Sequence, residues 1–148
     1  MSTDEKTAKD LVETLEDGRA GYAAAAEKLR DSDQPQLAET MQHFSDQRGD
    51  FARQIVELGH AYGDDVDDGG SLSAKLHRGW LKMKDAVTGD DAGAVLAAAA
   101  SGEDHAVSEF EKALDEEDLS PGFRSLVQQQ HQSIVAARDQ VKALADAA

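Results

Sequence analysis

Between Val95 and Leu114 the apolar residues fall at Val95, Leu96, Ala99, Ala106, Phe110, Ala113 and Leu114, and one carboxylate, Glu103, interrupts them. The spacing is that of an amphipathic helix buried along one stripe. Glu103 sits at helical distance from Ala99, Ala106 and Phe110, so it shares the buried stripe. A core carboxylate is costly unless it meets a metal, a cation or a reacting group. The chain must therefore build a helical core that also supplies a partner for Glu103.

Three more long helices provide the surroundings. The first is expected from Asp4 to Arg30, with Leu11, Leu15, Gly18, Tyr22, Ala25 and Leu29 on one face. The second is expected from Pro35 to Tyr62, with Asp33 as its cap and Pro35 in its first turn. Its inner face reads Leu37, Met41, Phe44, Arg48, Phe51, Ile55, Leu58 and Tyr62. The helix carrying Glu103 spans 91–117. Ser120 and Pro121 then open a last helix that runs to Ala145, with Phe123, Val127, Gln130, Ile134, Ala137 and Val141 inward. No segment alternates as a strand does.

The two hairpins, 4–62 and 91–145, are separated by an acidic, glycine-rich stretch from Gly63 to Gly70 and a shorter helical pattern over 71–87. The latter is marked by Leu72, Leu76, Trp80, Met83 and Val87. The aspartates of 63–70 lack the ordered spacing and closing glutamate of a calcium loop. Two antiparallel pairs joined by one long crossover give an all-α, ferritin-like four-helix bundle with a short extra helix, forming one domain over 1–148.

Composition narrows the function. The net charge of −15 opposes binding to nucleic acid or to an anionic membrane surface. The absence of cysteine removes disulfides, thiol nucleophiles and thiolate metal sites. Polar first residues and the lack of any long apolar run make a cytoplasmic location the expectation. Alanine-rich faces suggest a homodimer.

The middle layer holds the candidate chemistry. A ferritin-like diiron site needs a glutamate from each of two helices and Glu-x-x-His from each of the other two. Here the first helix offers Gly18 and the second offers Arg48, a permanent cation that cannot ligate a metal. The third offers Glu103, and the fourth offers Gln128-x-x-His131, with an amide for the carboxylate. The expected arrangement is a buried polar cluster of Arg48, Glu103, Gln130 and His131 without a cofactor. The alternative is an iron-binding protein or oxidase using Glu103, His131, Asp17 and Asp50, with Asp104 nearby. Neither a nucleophile elbow nor a phosphate-binding loop is present.

Asp17-Gly18, Gly21-Tyr22, Gly70-Ser71, His77-Arg78, Trp80 and Gly102-Glu103-Asp104, in that order, resemble a bacterial family of uncharacterised four-helix-bundle proteins. That family is a domain of unknown function within the ferritin-like superfamily. The resemblance implies a ferritin-like fold, a bacterial source and an association with stress, and it implies no established activity. The expected function is that of a non-enzymatic bundle whose diiron site has degenerated into an Arg–Glu cluster.

Overall fold

The computed structural model describes residues 3–61 and 92–148. The Gly63–Gly70 stretch, the expected 71–87 helix and Trp80 lie outside them. Among the described residues there are four helices: α1 (Thr3–Asp31), α2 (Pro35–Ala61), α3 (Ala92–Leu114) and α4 (Pro121–Ala147).

Two apolar clusters fix their directions. One gathers Leu11 and Leu15 of α1, Ile55 of α2, Phe110 of α3, and Phe123 and Val127 of α4. The other gathers Tyr22 and Leu29, Met41 and Phe44, Val95 and Leu96, and Val141. The first half of α1 thus lies with the second halves of α2 and α3 and the first half of α4. Both α2 and α3 run opposite to α1, and α4 runs parallel to it. Close packing joins α1 to α2 and to α3, and α4 to α3 and to α2. The helices α2 and α3 are therefore parallel and sit across a diagonal. Ala61 and Ala92 lie at opposite ends of the bundle, so the connection between them traverses its length.

Local chemistry explains the helix ends. Asp33 is not the cap of α2. It adopts φ 59° as the left-handed residue that closes α1. The Gln34 amide reaches back to the Leu29 carbonyl (2.8 Å) and the Asp33 amide to that of Arg30 (3.2 Å), a Schellman closure with aspartate in the usual glycine place. The first α2 bond then runs from the Ala38 amide to the Gln34 carbonyl, with Pro35 in the first turn.

Helix α3 stops at Leu114, short of the expected 117. Four acids, Asp115 to Asp118, oppose the negative end of the helix dipole. Arg124 of α4 takes up the freed carbonyls, donating from Nη1 to Leu114 (2.7 Å) and from Nη2 to Glu116. Ser120 precedes α4, as its sequence suggests, but makes no side-chain cap bond. Its hydroxyl donates to the Asp4 carboxylate, and its amide reaches the same group at 3.0 Å. This ties the start of α4 to the start of α1.

On α2 the buried stripe leans toward α1 through Ala38, Ser45, Ala52 and Val56, and the Ser45 hydroxyl donates to the Arg19 carbonyl (2.8 Å). Phe51 and Leu58, on the α4 side, remain half-buried.

Candidate functional site: a buried ion pair between diagonal helices

Arg48 and Glu103 meet between the two apolar clusters, at 0 % and 2 % exposure. The helical period places each on an inward stripe, and the parallel diagonal arrangement of α2 and α3 brings the two to one height. The pairing is bidentate. Arg48 Nη2 donates to Glu103 Oε2 at 2.7 Å, and Nη1 donates to Oε1. The guanidinium fork matches the carboxylate in geometry and charge, which gives directional hydrogen bonds in a dry layer. Nε donates to Gln47 Oε1 at 3.3 Å.

The other helices shape the space around the pair. Gly18 of α1 has no side chain to compete. A Cβ there would rest 3.7 Å from Arg48 Cγ and 3.8 Å from Nη1, so a longer side chain would enter the guanidinium's place. One turn on, the Tyr22 ring lies 5.3 Å from the Arg48 guanidinium carbon, a cation–π contact. Phe44 packs against the same ring with centroids 5.4 Å apart. Burial pushes the Tyr22 phenol far above its ordinary value, and the neighbouring Glu103 carboxylate pushes it further. It is a neutral phenol at every pH at which the fold survives.

Gln130 and His131 belong elsewhere. Gln130 is 1 % exposed, and its amide nitrogen bridges α4 to α2 through the Phe51 carbonyl (3.1 Å) and Gln54 Oε1 (3.0 Å). His131 turns toward the α3 flank, with Nε2 3.6 Å from a Glu111 carboxylate oxygen. The arginine is long enough to satisfy Glu103 alone, so α4 is left to seal the seam with α2. Sequence spacing put Gln130 at the right depth but could not say which neighbour its amide would find. It also missed Tyr22 as a member of the layer; a tyrosine one turn from Gly18 on the same stripe was the available signal.

The remaining candidate ligands are dispersed. Asp17 is half-buried on α1. Asp50 is exposed and pairs with Arg53 on its own helix. Asp104 is exposed, 2.9 Å from Lys142 and 4.0 Å from Arg138. Iron needs several carboxylate and imidazole donors converging at about 2.0–2.2 Å. The layer offers one carboxylate, and the guanidinium occupies both of its oxygens. Among the described residues no three His, Asp or Glu side chains group as a metal site would require. The donors present do not fit a diiron centre.

The up-down-down-up bundle with a full-length crossover defines a ferritin-like helical protein. The same fold appears in a mutant of Mycobacterium smegmatis Dps1, with TM-score 0.62 and 16% identity over 98% of this chain and 99% of that one. A family model, described as a domain of unknown function (DUF2383), matches residues 5–116, and the chain belongs to that family. No curated protein matches the sequence significantly. Among the described residues no helix is long and apolar enough to cross a membrane.

Proposed function

We propose that this protein is a non-enzymatic, stress-associated member of the ferritin-like lineage. In it a structural ion pair stands where a metal centre would lie. The observation that carries the reading is that both oxygens of the one carboxylate in the layer are engaged by Arg48. A guanidinium at that position supplies the positive charge that metal ions would supply to an inward glutamate, and it does so without redox chemistry. Whatever the protein does in the cell is then done through its acidic surface, as a cytoplasmic protein and a homodimer.

Metal content settles the matter against the iron-binding alternative. Protein purified without chelators is titrated anaerobically with ferrous iron, then exposed to oxygen. The expected result is no stoichiometric iron and no oxo-iron absorption. Stoichiometric iron that is lost in Glu103→Ala, with the melting temperature unchanged, would make Glu103 a ligand and overturn the reading.

A further inference from the structure

Helices α2 and α3 sit on a diagonal, so the segment joining them has two routes along the bundle, over the outer face of α1 or over that of α4. The two faces differ. A helix flanked by two neighbours keeps its outer side in water, and α4 does so, with Gln128, Gln132, Ala136, Asp139 and Ala143 all exposed. On α1, by contrast, no residue between Leu11 and Ala26 is exposed. Glu13, Glu16, Asp17, Ala20 and Ala23 are half-buried, and Ala24 is only 3 % exposed. Neither α2 nor α3 can reach the side of α1 that faces away from the core.

We propose that residues 71–87 of this chain dock along the outer face of α1. The segment carries Leu72, Leu76, Trp80 and Met83 at helical spacing, a stripe suited to the small surface of Ala20, Ala23 and Ala24. Charge favours the same face. Lys75, Arg78, Lys82 and Lys84 against Asp85 give four positive charges less one negative, a net +3 within a chain of −15. The face it meets presents Glu13, Glu16 and Asp17, whereas mid-α4 presents the amides of Gln128 and Gln132. Length is sufficient. The 27 residues of α2 span about 40 Å at helical rise, and 17 helical residues give about 26 Å of it. The flanking residues of 62–91 cover the remainder at about 3.3 Å each when extended. Docked there, the segment backs the stretch from Gly18 to Tyr22, behind which the Arg48–Glu103 pair lies.

The full chain has no cysteine, so introduced pairs report without background. One variant carries Gly79→Cys with Ala20→Cys on α1, and the other carries Gly79→Cys with Ala136→Cys on α4. Circular dichroism verifies that each is folded, and each is treated with a short bismaleimide at low protein concentration. The α1 pair is expected to link within one chain and the α4 pair to stay unlinked. An intramolecular link to α4, equal linking of both, or no intramolecular link in either would overturn the proposal. Trp80 is the chain's one tryptophan and gives a second readout. Ala20→Arg should shift its emission to the red while Ala136→Arg leaves it in place, and the reverse pattern would count against docking on α1.

Discussion

Removing one side of the Arg48–Glu103 pair is the sharpest test of what the central layer does. Glu103→Leu strands a guanidinium at 0 % exposure, with its two Nη donors unpaired. Losing one partner of such a pair costs about 3–5 kcal/mol, because a buried charge is left uncompensated. Spread over a domain of this size, that is a fall of roughly 6–20 °C in melting temperature. Arg48→Met strands the carboxylate instead and should cost a similar amount. The double variant carries neither charge into the core. Replacing an entire buried pair with apolar side chains is often neutral or better, so it should recover most of the loss and give a coupling energy of about 3 kcal/mol or more. Urea unfolding followed by far-ultraviolet circular dichroism measures all four corners of the cycle. If the two single losses simply add in the double variant, the charges do not depend on one another, and the account of the layer fails.

Gly18 tests the space around the pair. Gly18→Ala places its Cβ in ordinary contact with Arg48 and should be neutral or stabilising by up to about 1 kcal/mol through helix propensity, whereas Gly18→Leu should destabilise, both read by the same urea midpoint. Tyr22 tests burial of the phenol. Its folded pKa lies above the unfolded value of about 10, so it leaves stability untouched below that pH and removes it as pH rises further. Spectrophotometric titration should show one of the two tyrosines ionising only as helicity collapses, and Tyr22→Phe should abolish that phase; an early, reversible Tyr22 ionisation in folded protein would refute it. Asp4→Ala removes the acceptor of the Ser120 hydroxyl and amide and should cost about 1 kcal/mol, as loss of a helix-end partner does.

Much of this was legible in the chain, and the parts that were not share a cause. Helix identity and pairing followed from the 3.6-residue period and from Pro35 and Pro121, because both act within a few residues of where they are read. The Arg48–Glu103 pair was legible because each charge was the one costly group on its stripe, and a buried charge must find its opposite. Gln130 was ambiguous because an amide accepts many partners, and the choice between Glu103 and the α2 backbone depends on the lateral spacing of helices. Asp33 was misread as a cap because aspartate serves both an N-cap and a left-handed closure, and only the short α1–α2 turn decides between them. The early end of α3 follows from Arg124, ten residues beyond Leu114, through a contact that no local pattern encodes.

The pair has a second consequence, separable from its energy. Leu, Ile, Val and Ala cores accept small shifts of one helix along another at little cost, and alanine-rich stripes such as those of α1 and α3 offer few protruding side chains to oppose a slide. A bidentate guanidinium–carboxylate contact tolerates no such shift. One helical turn moves Glu103 by 5.4 Å, beyond reach of an arginine also held over the Tyr22 ring. The pair therefore selects a single register between α2 and α3, two helices with no close packing of their own. The double variant Arg48→Met with Glu103→Leu, stable by the argument above, should for that reason lose uniqueness before it loses stability. Its helicity and unfolding free energy should stay near those of the parent, while near-ultraviolet ellipticity weakens and methyl resonances broaden or collapse. A double variant with parental near-ultraviolet and methyl spectra would mean that apolar packing alone sets the register, and the ion pair would then have no structural role beyond satisfying itself.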